Sequence, residues 1–271
     1  MRFLILAFTI IITFSACSSL SKVQKSNDYE YKYRMAEQYY AKKNYNYAQQ
    51  LYEELFPIFK GTDRFEDMYY KSAYSAFYLK DYQNAENLFK GFVEVFPTSK
   101  KAEEMEYMRA YTFYKQSPKT ELDQTNTYKA MGLMQTFINT HPGSEHSKEA
   151  IGIVDKCRQK LEEKEYLSAF LYYNMGQYKA ASVAFTTLIN DFPDSQKSDE
   201  YKLFAIKSYY EYAVLSISTK QEERFEKVLS ECNEFSDRFP ESKIIKEVEK
   251  YSTLAQNNIK VIQNEQVKKA S

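Results

Sequence analysis

The side chains of this protein best suited to recognising another molecule are its aromatics, 26 tyrosines and 19 phenylalanines with no tryptophan. Side chains spaced at i, i+4 and i+7 share one face of a helix. Triplets of that kind recur along the chain: Tyr33, Glu37 and Tyr40; Tyr70, Tyr74 and Phe77; Tyr107, Tyr111 and Tyr114; Tyr166, Phe170 and Tyr173. Eleven of these twelve positions are aromatic, and the next comparable triplet, Lys202, Ile206 and Tyr209, breaks the row. A phenol offers wide, stiff contact area with few torsions to freeze, and a hydroxyl that can bond a peptide backbone. The chemistry on offer is therefore non-covalent capture of an extended or partly folded polypeptide. Any single ring could equally pack between neighbouring helices with its hydroxyl in water. The row as a whole points to binding, because packing alone would accept Leu or Ile at these places.

Covalent chemistry is confined to the N-terminus. Arg2 is followed by an apolar run from Phe3 to Phe14, too short to span a bilayer and of the size of a signal-peptide core. Ser15 and Ala16 then precede Cys17, and Ser18, Ser19, Leu20 and Ser21 follow as a flexible leader. This order resembles a bacterial lipobox, in which the cysteine thiol is acylated and becomes the first residue of the mature chain. Several acyl chains on one cysteine make a firm anchor, so membrane attachment is expected through the N-terminal lipid at Cys17. The other cysteines, Cys157 and Cys232, sit in helical patterns and read as small buried apolar groups.

Catalysis has no visible seat. The two histidines, His141 and His146, lack a carboxylate or cysteine at ligand spacing and read as surface groups. No Gly-rich phosphate loop, nucleophile elbow or His-Glu-x-x-His sequence occurs. Carboxylate pairs such as Glu162–Glu163 and Glu222–Glu223 read as solvated helix faces. With 37 basic against 37 acidic residues there is no field suited to nucleic acid. The reading is a protein that holds other proteins, not an enzyme, with no cofactor and no metal.

The elements that must position the row are written in alanines and prolines. Tyr33, Tyr70 and Tyr107 recur at one spacing, as do Ala36, Ala73 and Ala110. Ala85, Ala130, Ala181 and Val228 each stand the same distance before a proline, in the phrases Phe96-Pro97-Thr98-Ser99, His141-Pro142-Gly143-Ser144, Phe192-Pro193-Asp194-Ser195 and Phe239-Pro240-Glu241-Ser242. Proline ends a helix and the serine after it can cap the next. Within each unit a short polar turn, Lys43-Asn44-Tyr45, Lys80-Asp81-Tyr82 or Gly176-Gln177-Tyr178, joins two helices. Small residues on facing sides, Ala36 with Ala48, Ala73 with Ala85 and Ala169 with Ala181, allow close approach. Tyr52, Phe89, Met134 and Phe185 fill the seam to the next unit.

The pattern looks like the tetratricopeptide repeat, and the fold expected is an all-α solenoid of about five helical hairpins. Such hairpins cannot bury their own apolar faces and need neighbours to stack on. The third unit carries an extra polar loop from Gln116 to Thr125. The fifth is stretched between Ala205 and Val228, and Ser147 to Met175 reads as one long helix. The domains expected are a signal peptide at 1–16, a lipid-anchored leader at 17–28, repeats one to three at 29–146, the long helix with repeats four and five at 147–251, and a polar C-terminal tail at 252–271.

Signal, Cys17, leader and repeats in this order resemble the BamD family, the lipoproteins of the outer-membrane β-barrel assembly machinery, in its Bacteroidetes-type branch. The resemblance is carried by the phrases Asn27 to Tyr33, Ser117 to Ala130 and Ala169 to Pro193. It implies a place on the periplasmic face of the outer membrane. It also implies capture of the C-terminal segment of unfolded β-barrel proteins by repeats one to three, and docking of repeats four and five on a BamA-like barrel-forming subunit. In arrays of this type the first helix of each hairpin lines the concave side, which would put the tyrosine row where substrate is received. Arg224 and Arg238 are the docking residues suggested in the fifth unit. Another tetratricopeptide lipoprotein scaffold, coordinating peptidoglycan or surface machinery, stays open, as does a glycan-capture lipoprotein of the SusD type.

Overall fold

A computed structural model describes residues 20–270. The signal peptide and Cys17 lie outside the described residues. After a helical turn over 20–24, the helices are α1 (Tyr29–Ala41), α2 (Tyr45–Phe59), α3 (Asp63–Tyr78), α4 (Tyr82–Val95), α5 (Ala102–Lys115), α6 (Thr125–Thr140), α7 (Ser147–Asn174), α8 (Tyr178–Asp191), α9 (Ser198–Val214), α10 (Ser218–Arg238) and α11 (Ile245–Ala270). They are tetratricopeptide-type hairpins of an all-α solenoid, each helix packed on the next.

Local chemistry sets the turns. Lys43, Lys80 and Gly176 stand at equivalent places with φ of 59°, 62° and 71°, the left-handed conformation that closes a helix. The next amide in each turn reaches back one helical turn and more: Asn44 to the Tyr39 carbonyl, Asp81 to that of Ala76, and Gln177 to that of Tyr172. The proline phrases are equally uniform. Phe96, His141, Phe192 and Phe239 cap their helices with φ between −125° and −130° and ψ between 53° and 62°. Each following serine caps the next stretch, accepting from the amide of Lys101, His146, Lys197 or Ile244. Three of those serines also donate back to an acid of an earlier helix, Ser99 to Glu66, Ser195 to Glu162 and Ser242 to Asp199. The phrase therefore ends one helix, starts another and ties the two repeats together.

Packing follows the alanine pattern. Ala36, Ala48, Ala73, Ala85, Ala110, Ala130, Ala169 and Ala181 are wholly buried, and so are the seam residues Tyr52, Phe89, Met134 and Phe185. The extra loop of the third unit folds around one side chain. Gln124 is buried, its amide reaches the carbonyls of Lys119, Thr120 and Leu122, and its oxygen accepts from Thr127 at 2.6 Å.

The chain forms two compact units that part between Arg158 and Gln159, inside α7. The sequence put a boundary at Ser147, where α7 begins. The parting falls later because Ala150, Ile153 and Cys157 belong to the core shared by α3 to α6. The first part of α7 thus closes the third repeat, and the part carrying Ala169 is the first helix of the fourth. In the second unit α11 runs well past Ser252. Ala255 is wholly buried, and Tyr251, Ile259 and Ile262 pack with it against α9 and α10, so a helix read as a polar tail closes the fifth repeat. At the other end the described part of the leader, residues 20–28, is not free. Leu20 and Val23 are buried in the core of the first repeat, since an end repeat has an uncovered face that apolar side chains can shield.

Candidate protein-binding surface

In the first unit α1, α3 and α5 carry the row and are held in register by polar contacts between residues 34 apart: Arg64 with Glu30, Lys71 with Glu37, Lys101 with Asp67, and Tyr70 with Glu104. The tyrosine anchors recur at a longer spacing than these contacts, so each residue meets a position about one turn earlier on the next helix. Although burial pulls the Asp67 carboxyl upward, Lys71 and Lys101 hold it below the usual range. The same cations, joined by Lys115, sit over row rings. Arg64 lies 5.1 Å from the Tyr33 centroid, Lys101 4.5 Å from Tyr70, and Lys71 and Lys115 5.9 Å from Tyr40 and Tyr111.

Rings from the second and third repeats join into one surface. Tyr70 and Tyr74 are 4.8 Å apart, Phe77 meets Tyr111 at 6.0 Å, and Tyr111 meets Tyr107 at 5.8 Å and Tyr114 at 6.0 Å. In the first repeat Tyr33 packs on Phe59, and Tyr40 on Tyr45 and Tyr52. Turn tyrosines clamp the last ring of three of the four triplets, Tyr45 on Tyr40, Tyr82 on Phe77 and Tyr178 on Tyr173.

Nine of the eleven row aromatics are half-buried, keeping part of the ring in water. Tyr74 and Tyr107 are buried, at 8% and 4% exposure, and so do not line an open wall. Tyr74 donates to Glu104 and packs edge-on against Phe89. Tyr107 is sandwiched, 4.3 Å from His146 and 5.6 Å from Phe137. Burial and the nearby Glu149 carboxylate push its phenol up, although the hydroxyl makes no hydrogen bond of ordinary geometry. Burial followed by the Glu104 charge raises Tyr70 to about 12, and burial raises Tyr33, Tyr40 and Tyr74 as well. The histidines read as surface groups are engaged too, His141 with Glu106 at 2.8 Å and His146 on Tyr107.

One exposed ring escaped the sequence pattern. Tyr78 is 49% exposed and stacks on Tyr45 at 4.6 Å, bridging the first and second repeats. It lies eight residues after Tyr70, and on a helix i+7 and i+8 both flank the stripe. Extending the triplet by one position would have found it.

In the second unit Tyr166, Phe170 and Tyr173, half-buried as well, share one aromatic neighbour. Phe204 of α9 approaches all three, at 6.4, 5.3 and 5.8 Å. Lys202, where the row breaks, is buried and pairs with Glu231 at 2.6 Å, each side chain 5% exposed. Burial pulls Glu231 up, but Lys202 and Lys227 hold its carboxyl below the usual range. Arg224 lies 4.0 Å from the Tyr212 centroid and lines an open groove of about 530 Å³ with Tyr209, Glu223 and Lys227. Arg238 lies 5.2 Å from the Phe239 centroid, beside the loop of Pro240 and Ser242.

Residues 25–224 match the family model YfiO, described as an outer membrane lipoprotein. The chain belongs to that family. It is the family of BamD, and a lipoprotein scaffold of tetratricopeptide-like hairpins is what its members share with this fold. No curated protein matches the sequence. Among solved structures, the chain is similar to the TPR2AB domain of yeast Sti1 in a complex with pHSP90, at 12% identity over 84% of this chain and 98% of that one, TM-score 0.38. It is also similar to the nearly identical TPR-like repeats of a Podospora anserina kinesin light chain, at 11% identity over 78% and 96%, TM-score 0.32. Among the described residues no helix is long and apolar enough to cross a membrane, and no grouping of His, Cys, Asp and Glu could hold a metal ion.

Proposed function

We propose that this protein is an outer-membrane protein assembly factor, anchored by lipid on Cys17 at the periplasmic face. In this reading it receives unfolded β-barrel chains on its first three repeats and docks them, through its last two, to a BamA-like subunit. The observation that carries the reading is the ring surface joining the second and third repeats. Tyr70, Phe77, Tyr111 and Tyr114 are half in water, with Lys101 and Glu104 on Tyr70 and Lys115 of the same helix over Tyr111, and exposed Tyr78 extends them. Stiff aromatic surface of this kind suits a segment that brings its own aromatics and unpaired backbone groups. Tyr74 and Tyr107 support it from beneath. Tyr33 and Tyr40 extend it along the first repeat, whereas Tyr166, Phe170 and Tyr173 serve mainly to seat α9. Arg224 and the groove beside it are offered to the docking partner. Nothing in the reading requires a cofactor, catalysis or nucleic acid.

A photo-crosslinking amino acid at position 111 or 78, in cells, should capture unfolded barrel proteins. Recovery of cell-wall enzymes alone, with outer-membrane barrels at normal levels after depletion, would move the protein to the other class of scaffold.

A further inference from the structure

We infer that residues 20–28 form a short rigid strap that holds the first repeat against the phospholipid surface, an inference that rests on acylation of Cys17. Leu20 and Val23 are buried in a core with Ala36, Tyr39, Leu51 and Leu55. Gln24 reaches Gln50 of α2 at 3.3 Å, Ser26 accepts from the Asp28 amide, and Asp28 caps α1 through the Tyr31 amide. The path from Leu20 into α1 is therefore bonded throughout.

Length decides what this does. A free leader from Cys17 to Asp28 would let the first repeat wander as far as about 40 Å from its anchor. With Leu20 fixed in the core, three residue steps are left, a reach of about 10 Å. The acyl chains must lie in the bilayer, so the repeat that buries Leu20 is held at the headgroups. The strap's charge fits that surface. Lys22 and Lys25 are exposed, and no acidic residue occurs from Ser18 to Asn27, which suits anionic headgroups. The face bearing Gln24 and Gln50 is thus the membrane-facing end of the first unit, and the half-wet rings on α1 and α3 open close to the bilayer.

The absence of tryptophan makes the test clean. A Gln50→Trp variant of the full, acylated protein is reconstituted into phosphatidylethanolamine–phosphatidylglycerol vesicles, with and without lipids brominated high on the acyl chain. Emission should fall about twofold with bromine, because the probe lies within roughly the strap's reach of the interface. A Gly/Ser insertion about twelve residues long between Ser18 and Ser19 leaves the core contacts untouched but restores a long tether, and should abolish the quenching. Leu20→Asp with Val23→Asp should do the same, with circular dichroism reporting whether the first repeat stays folded. If the mature chain carries no acyl mass at Cys17, both the anchor and the strap are lost. If the mass is present but bromine has no effect, or quenching survives the insertion, the anchor stands and the strap is overturned.

Discussion

The two units give the same three helix positions different neighbours. In the first, rings at those positions meet rings and carboxylates of the next helix at their edges, and most keep a side in water. In the second, Tyr166, Phe170 and Tyr173 are also half-buried but share a single aromatic neighbour, Phe204, and the next repeat puts the buried pair of Lys202 and Glu231 where another aromatic would stand. The lesson is that the spacing fixes a slot, while the neighbouring helix decides whether the slot is a wall or a seam. Glu104 and Phe204 make that difference, one by bonding phenol hydroxyls and the other by meeting three rings edge to face.

The sharpest way to break the comparison is at the position both units share. Phe89→Ala and Phe185→Ala empty matching, wholly buried sites, and each should cost about 3–5 kcal/mol. Urea unfolding followed at a probe in each unit should show the loss in the mutated unit; equal losses in both for either variant would mean that the units do not unfold separately. Next, Lys202→Met strips Glu231 of its buried partner and should cost about 3 kcal/mol, largely recovered by adding Glu231→Leu. Lys71→Met, in a more exposed pair, should cost about 1 kcal/mol or less. Thermal melts of the three variants give the ranking.

For function, Tyr111→Ala should lower crosslinking from position 78 severalfold with helical content intact, whereas Phe170→Ala should lower the melting point of the second unit and leave capture unchanged. If Phe170→Ala is the variant that loses capture, the assignment of wall and seam is reversed. Raising the pH should also separate the units by degree. Phenols raised above their ordinary 10, Tyr70 to about 12 among them, favour the folded state up to pH 10. That contribution is lost as pH climbs from 10 through 12. More raised phenols lie in the first unit, so phenolate absorbance and loss of helix there should rise together in that window. The smallest effect belongs to the turns. Lys43→Gly or Lys80→Gly removes a left-handed β-carbon and should stabilise the first unit by about 0.5–1 kcal/mol, while Gly176→Ala should destabilise the second by about as much.

Much of the architecture was legible because it is local. A proline stops a helix wherever it stands, a serine beyond it finds free amides, and Ala36 with Ala48 or Ala169 with Ala181 announce close approach without knowledge of the rest of the chain. The candidate site was legible only as a stripe. Burial of Tyr74 and Tyr107 depends on Glu104, Phe89, His146 and Phe137, which no periodicity ties to them. Tyr78 was missed because a three-position template is narrower than the face it samples. The end pieces misled for one shared reason: Leu20, Val23, Ala255, Ile259 and Ile262 sit in polar company, and their apolar role appears only against the uncovered face of a terminal repeat.

By itself the sequence determined the helices, their stops, their pairing into hairpins and the face on which the aromatics stand, since each depends on residues within a turn or two of one another. The tertiary structure alone decided which rings stay wet, where the long helix α7 changes allegiance, and that Leu20 and Val23 before the first hairpin and Ala255 to Ile262 after the last are packed into cores. Those outcomes depend on what a distant helix offers across the contact, a carboxylate, a phenyl ring or an uncovered core.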